Sequence, residues 1–151
     1  MFATGHLSCS YLLCRLTGLS WPLLAAAAVF PDVIDKGLRL VGLFTTGRHV
    51  AHNLFAVIAT TALVASWRGI RPGLSWLVGY IAHLLGDLPF SWDMQWFYPL
   101  EWGRWRNSVE TAFMGLSLKQ IAFDLGVTAA ALSAWALQVR SRRARATPPD
   151  A

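Results

Sequence analysis

Charged side chains are scarce in this chain. Only 14% of its 151 residues are Asp, Glu, Lys or Arg, whereas 55% are hydrophobic. The mean hydropathy of +0.44 is higher than a soluble domain of this length needs in order to build one core. This composition argues against an ordinary soluble protein and predicts a single-domain integral membrane protein.

Cysteines and targeting signals are also scarce. Cys9 and Cys14, the two cysteines, are five residues apart, so a helix would point them in different directions and no disulfide is implied. The first ten residues have no cationic region, and no small-residue cleavage site follows an apolar core, so we expect the N-terminus to be retained. The basic residues are not interleaved with aromatic residues on one soluble face, which argues against nucleic acid as a partner.

The first apolar segment predicts an αα-hairpin rather than one straight helix. Thr17-Gly18 offers a helix end, Ser20 an N-cap, and Pro22 falls in the first turn of a new helix. We therefore expect helices near residues 3–16 and 21–30. This hairpin opens a fold predicted to be all-α, a polytopic membrane helical bundle.

About three further membrane helices are predicted after the hairpin. They cover residues 49–67, 73–88 and about 117–139, and a short connection over 36–48 precedes them. The aromatic stretch 90–106 is expected to lie at the level of the lipid headgroups. Capping boxes are indicated by two pairs of residues: Asn107 with Glu110, and Ser117 with Gln120.

Basic residues are predicted to lie at one end of this bundle. Four arginines follow the last helix, and the positive-inside rule places them in the cytoplasm, together with Arg15, Arg68 and Arg71. All four histidines and seven of the eight acidic residues then lie at the non-cytoplasmic end. We expect a multi-pass protein of the cytoplasmic (inner) membrane, with one embedded domain over 1–139 and a basic cytoplasmic tail over 140–151.

The Asp and His residues at the non-cytoplasmic end form short clusters. Ionisable groups inside apolar segments cost free energy, which indicates that these residues are retained for a function. The hairpin returns Asp32 to the level of His6, whereas one straight helix would separate them by about 39 Å. Imidazole and carboxylate ligands together suit zinc, manganese or iron. Taken singly, each residue also has an ordinary explanation as a hydrogen-bonded interface histidine or a solvated turn carboxylate. The pairs that share a face if the backbone is helical are Asp32/Asp35, His49/His52 and His83/Asp87.

Four motifs follow one another in the chain: Gly5-His6-Leu7, Phe30-Pro31-Asp32-Val33-Ile34-Asp35-Lys36, Gly47-Arg48-His49-Val50-Ala51-His52-Asn53-Leu54 and Val78-Gly79-Tyr80-Ile81-Ala82-His83-Leu84-Leu85-Gly86-Asp87. In this order they resemble the YdjM-like membrane-bound metal-dependent hydrolases, over residues 5 to about 100. The resemblance implies hydrolysis and a likeness to zinc-dependent phospholipases C. The positions that match the family's recurrent residues, and so its implied metal ligands, are His6, Asp32, His52, His83 and Asp87.

The chain departs from the commoner family pattern in three places. The usual PDxDH motif ends here in Asp35-Lys36, which makes Asp35 a candidate proton acceptor as well as a candidate ligand. The usual His-Ser pair is His52-Asn53, so no serine nucleophile is available there. His49 matches no family position and is an accessory or catalytic candidate.

These observations predict a metal-dependent hydrolase that acts on a phosphoester or lipid substrate of the membrane or envelope. A divalent ion, with zinc favoured, lowers the pKa of bound water toward about 7, and Asp35 or His49 is the catalytic proton acceptor. A non-enzymatic, metal-stabilised scaffold or partner protein stays open as the alternative, because the same ligands can close the coordination sphere. A transporter is disfavoured, since the predicted helix interiors 51–66 and 120–138 contain few polar residues. The oligomeric state stays open.

Overall fold

The structure is a computed structural model that describes residues 2–44, 48, 50–90, 96–100 and 118–146. These residues form five α-helices and no strand: α1 (Ala3–Thr17), α2 (Trp21–Leu40), α3 (Leu54–Arg68), α4 (Ile70–Asp87) and α5 (Leu118–Ala146). A 3-10 turn over Leu88–Phe90 follows α4 directly. The predicted all-α class is confirmed for this part of the chain. Three predictions fall outside the described residues: the position of His49, most of the aromatic stretch 90–106, and the capping residues Asn107, Glu110 and Ser117.

The turn between α1 and α2 depends on Gly18. Its φ of 68° is left-handed, which glycine adopts without a steric penalty, and its N–H donates to the carbonyl oxygen of Cys14 at 2.9 Å. α2 then begins at Trp21, with Pro22 in its first turn. The two helices pack against each other as an αα-hairpin.

α2 does not end near residue 30 as predicted but continues to Leu40. The prediction was wrong because a proline inside a helical pattern was expected to end the helix. Pro31 removes one N–H donor, and the turns beyond it have contacts of their own: Lys36 Nζ lies 2.6 Å from Asp32 Oδ2, and Asp35 is buried. Asp32 and Asp35 therefore project from an ordered helix, and the predicted connection begins only after Leu40.

α3 starts five residues later than its predicted start at 49. Its N-cap is Asn53, whose side-chain oxygen accepts from the N–H of Ala56 at 2.8 Å. His52 therefore lies in a bend before the helix, and the prediction that histidines open this helix was wrong. α4 starts at Ile70 instead of 73, because Pro72 falls in the first turn, where an N–H has no partner within the helix.

α4 contacts both α2 and α3. Gly79 marks its closest approach to α2, since a Cβ at this position would stand 2.4 Å from the carbonyl oxygen of Leu24. The neighbouring Tyr80 is fully buried, with its ring 5.9 Å from that of Phe30 on α2. These contacts fix the spacing between the two helices that carry most of the candidate ligands.

α5 is the one helix of the described residues that is long and apolar enough to cross a membrane, over Leu118–Arg143. α3 is apolar but shorter. The predicted polytopic bundle is therefore not confirmed by helix length and composition. α5 also continues to Ala146, beyond its predicted end near 139, so the basic residues at 140–145 lie on its last turns.

Polar contacts join α5 to α1. The buried carboxylate of Asp124 accepts from the N–H of Phe2 and from the N–H of Gly5, both at 3.1 Å. N–H groups at the start of a helix have no acceptor within it, so Asp124 caps α1 from another helix. Two side-chain hydrogen bonds continue this seam toward the other end of the helices: Ser8 with Thr128 and Tyr11 with Gln138.

The bundle buries polar side chains and exposes apolar ones. Large apolar residues on its outside include Leu16, Trp67 and Ile70, all mostly exposed. A surface of this kind is unfavourable in water and favourable against lipid. The fully or almost fully buried side chains include a polar set: His6, Asp35, His52, His83 and Asp87.

Candidate metal centre

Two histidines face each other inside the bundle. His83, on α4, and His52, in the bend before α3, are both fully buried, and their Nε2 atoms are 3.0 Å apart. The Nδ1 atom of His83 lies 2.6 Å from the carbonyl oxygen of Ala28. The Nδ1 atom of His52 lies 2.7 Å from Oδ2 of Asp35. Each ring is therefore held at its outer nitrogen by an oxygen acceptor.

These hydrogen bonds determine which ring nitrogen has a lone pair available. A carbonyl and a carboxylate accept hydrogen bonds, so both Nδ1 atoms donate, and each neutral ring has its lone pair on Nε2. Two lone pairs then face each other across 3.0 Å. A shared proton would relieve this repulsion only by making one buried ring an imidazolium. A metal cation between the rings would bind both Nε2 atoms, and the hydrogen bonds at Nδ1 already favour the tautomer that this binding requires.

Asp32 and Asp87 bring two carboxylates to the same place. Asp32 Oδ1 is 3.7 Å from Nε2 of His52, and Asp87 Oδ2 is 4.0 Å from Nε2 of both histidines. One ligand atom from each of the four residues lies within 4.8 Å of all the others. Ligand atoms in a tetrahedral zinc site are roughly 3.3 Å apart, so modest side-chain shifts would produce that geometry. The residues present therefore fit a divalent metal ion.

His6, the fifth predicted ligand, lies directly beside this group. Its ring stacks on the ring of His83 with 4.0 Å between centroids, and its Nε2 is 3.4 Å from Oδ1 of Asp87. That Nε2 atom is buried and has no hydrogen-bond partner among the residues that the structure describes. An unsatisfied buried nitrogen is costly, and a nearby cation would satisfy it. The structure thus brings all five predicted ligand residues to one end of the bundle.

Asp35 is placed behind His52 rather than among the other ligand atoms. Its oxygens accept from the N–H of Ala51 at 3.0 and 3.2 Å and from Nδ1 of His52. Because it contacts the outer nitrogen of the ring, Asp35 fixes the tautomer and orientation of His52, as carboxylates do behind metal-binding histidines. A role for Asp35 as proton acceptor stays a prediction. His49, the other catalytic candidate, is outside the described residues.

Asp32 is the candidate ligand nearest to solvent. It lies on the polar end of α2, beyond the apolar segment 21–30, with Lys36 one turn further on. The hydrogen bond and the positive charge of Lys36 stabilise the carboxylate form of Asp32. In that form Asp32 can bind a cation.

Three residues support the site without having been assigned a role from the sequence. Nη2 of Arg48 lies 3.1 Å from Oδ2 of Asp87. Tyr80 donates from its hydroxyl to the carbonyl oxygen of Ala51 at 2.6 Å, and so holds the bend next to His52. Asn53, which caps α3, could have been identified, because Asn before an apolar run is an N-cap signal. No spacing rule connects the other two residues to the ligands.

The fold and the cluster define an all-helical protein with an apolar exterior and a buried Asp/His group that can hold a metal ion. Residues 2–146 match the family model described as YdjM inner membrane protein. The chain therefore belongs to the YdjM inner membrane protein family, and the resemblance noted in its motifs is confirmed. No curated protein and no solved structure matches the chain.

Proposed function

We propose that this protein is a multi-pass enzyme of the inner membrane that hydrolyses a phosphoester of lipid or envelope origin with the help of a divalent metal ion, zinc being favoured. Its metal ligands are Asp32, His52, His83 and Asp87, with His6 beside them. The site faces the non-cytoplasmic side of the membrane.

One observation carries the proposal. Two buried imidazoles that both donate from Nδ1 face each other through Nε2, next to two carboxylate oxygens. Lys36 and Arg48 pair with the carboxylates, but the two facing lone pairs raise the free energy of the folded protein unless a cation lies between them. The outer hydrogen bonds of both rings are those that orient metal-binding histidines in other proteins.

The residues of the chain have separate tasks in this proposal. A divalent ion held by these residues would supply an activated water and polarise the scissile bond. His52 and His83 present neutral nitrogens, and Asp35 and the carbonyl of Ala28 hold the two rings in place. The proton acceptor is His49 or Asp35. Asp35 meets the cluster through Nδ1 of His52, so it could accept a proton by way of that ring only if Nε2 of His52 were not bound to the ion.

The charge distribution supports the proposed orientation in the membrane. Arg15 lies in the last turn of α1, Arg68 in the last turn of α3 and Arg71 at the start of α4, whereas the Asp/His cluster lies at the other end of these helices. α5 runs in the same direction as α1, since Asp124 contacts the start of α1, so its terminal arginines lie at the basic end too. Arginine-rich ends favour the cytoplasm.

Helix lengths support the multi-pass arrangement unequally. α2 and α4 have 20 and 18 residues, close in length to the about 20 that a crossing requires, although four charged residues fall in the second half of α2: Asp32, Asp35, Lys36 and Arg39. α1 and α3 have 15 residues each, so their assignment as crossings rests on the apolar exterior of the bundle instead. The proposal that all five helices are embedded in the membrane combines these observations.

A second candidate function is a metal-stabilised scaffold without enzymatic activity. It is favoured by the number of protein ligands, because four ligand residues can close a tetrahedral site and leave no position for water or substrate. In that case the ion would link α2, α4 and the bend before α3 as a purely structural element.

Metal analysis of detergent-purified protein tests the proposal first. We expect close to one zinc or other first-row divalent ion per chain in the wild type, and loss of most of it in His83→Ala and Asp87→Ala, since each change removes one of the four converging ligand atoms. Ser75→Ala is a matched control, because Ser75 makes buried hydrogen bonds at the opposite end of α4. Full metal retention in both site variants would show that the ligands lie elsewhere.

Substrate screening then separates enzyme from scaffold. The zinc-loaded wild type is incubated with phosphoester, carboxylester and lipid substrates, and turnover that disappears in His83→Ala supports the hydrolase. A wild type that binds zinc stoichiometrically but turns over none of these substrates would contradict the hydrolase and support the scaffold.

A further inference from the structure

The candidate metal centre has one side that reaches solvent. The His6, His52, His83 and Asp87 side chains are buried, whereas Asp32 is 14% exposed, Arg48 29% and Lys36 63%. The last three residues therefore form the solvent-facing rim of the cluster. A soluble group or lipid headgroup that approaches from this side of the described residues meets them first.

Two of these three rim residues are cations, and each is paired with a candidate ligand. Lys36 Nζ lies 2.6 Å from Oδ2 of Asp32, and Arg48 Nη2 lies 3.1 Å from Oδ2 of Asp87. Without a metal, these cations balance the two carboxylates. With a divalent ion bound, the ion alone balances Asp32 and Asp87, and the charges of Lys36 and Arg48 become an excess at the rim. Loading the metal thus makes the entrance electropositive.

We propose that Lys36 and Arg48 form an anion-binding rim that recognises a phosphoryl group beside the bound metal. This inference rests on the proposed function and names the residues that would bind the phosphoryl group of its substrate. The guanidinium of Arg48 has five N–H donors in a planar fork, of which the contact with Asp87 uses Nη2, and that fork matches phosphate oxygens. Lys36, which is paired with Asp32, adds a second positive charge at the end of a flexible side chain.

Calorimetric titration of inorganic phosphate into zinc-loaded, detergent-purified protein tests the rim. We expect Arg48→Gln to weaken phosphate binding at least about tenfold and Lys36→Gln to weaken it less, because a flexible, more exposed cation contributes less. Arg48→Lys should bind phosphate with intermediate affinity, since it keeps the charge and loses the fork. Arg68→Gln, which removes an arginine at the opposite end of the bundle, is the control and should bind like the wild type.

Zinc content, measured on each variant before phosphate is added, keeps the two proposals apart. If the wild type binds no zinc, the proposed function fails. If it binds zinc but no phosphate, the metal centre stands and the anion-binding rim is wrong. If Arg48→Gln loses zinc, Arg48 serves to hold Asp87 and the rim is also wrong.

A competition experiment identifies the source of the phosphoryl group. Glycerol 3-phosphate and detergent micelles that contain phosphatidic acid are each used to displace bound phosphate. Stronger displacement by the micelles, lost in Arg48→Gln, supports a lipid phosphate, and stronger displacement by glycerol 3-phosphate supports a soluble one. Displacement that is equal in wild type and Arg48→Gln would overturn the assignment of Arg48.

Discussion

Replacing Asp35 by Asn tests how this centre would hold its metal. Asp35→Asn preserves the size and shape of the side chain, but an amide has one acceptor oxygen where a carboxylate has two. Nδ1 of His52 donates to one of those oxygens and the N–H of Ala51 reaches both, so in either orientation of the amide the charge-assisted hydrogen bond behind His52 is lost. We expect the variant to fold and to bind zinc more weakly, because the His52 ring is no longer held in one orientation.

The expected loss can be derived from the hydrogen bonds. A hydrogen bond to a charged group contributes about 1.5–3 kcal/mol, and about 1.4 kcal/mol corresponds to a tenfold change in affinity. Losing one such bond behind His52 predicts zinc binding that is roughly 10- to 100-fold weaker, the range typical of residues that orient metal-binding histidines. If Asp35 were only the proton acceptor, zinc affinity would stay the same and hydrolysis would fall about a hundredfold to ten-thousandfold.

Zinc affinity is measured by competition with a chromophoric chelator, and helix content by circular dichroism. Ser75→Ala is again the control, since it removes a buried hydrogen bond to the N–H of Ser20 at the opposite end of the bundle and should leave zinc affinity unchanged. Unchanged zinc affinity in a folded Asp35→Asn protein would refute the positioning role. Complete loss of zinc would instead identify Asp35 as a ligand.

Two further substitutions test the packing that holds the ligands together. Gly79→Ala should lower the free energy of unfolding by about 1–3 kcal/mol and weaken zinc binding, because the new Cβ pushes α4 away from the backbone of Leu24. Gly126→Ala on α5 is the control. A Cβ there meets nothing within 4 Å, so the free energy of unfolding and the zinc affinity should both stay the same. Asp124→Asn should cost about 1–3 kcal/mol in denaturant unfolding, because the capped N–H groups at the start of α1 lose a charged acceptor, and an unchanged midpoint would show that the cap contributes nothing.

The parts of the structure that local rules govern could be predicted from the sequence. Gly18 and Pro22 indicate the end of one helix and the start of the next, and the hairpin that follows brings His6 and Asp32 to one end of the bundle. His83 and Asp87 share a face of α4, because their spacing of four residues matches a helical turn. In each case the information lies within a few neighbouring residues.

Tertiary contacts decided the features that the sequence did not predict. Pro31 lies inside α2 and does not end it, since buried contacts beyond the proline keep the helix intact. His52 lies in a bend, so helical spacing does not determine where its ring points. The shape of this bend depends on Tyr80, which is 28 positions further along the chain. The contacts of Asp35 with the His52 ring and of Arg48 with Asp87 also join residues that are distant in the sequence. Periodicity predicts which face of a helix a residue occupies, but not which atom of a distant residue it contacts.

The cap that Asp124 places on α1 has a consequence for how the protein is made. Phe2 and Asp124 are separated by 122 positions, so α1 leaves the ribosome long before Asp124 has been synthesised. Until α5 has been synthesised, the first N–H groups of α1 have no carboxylate to accept their hydrogen bonds. His6 lies in the same turn of α1. A chain interrupted before α5 would carry every proposed ligand and still lack the contact that holds His6 in position. The placement of His6 beside the other four residues is thereby deferred until translation has passed the last helix.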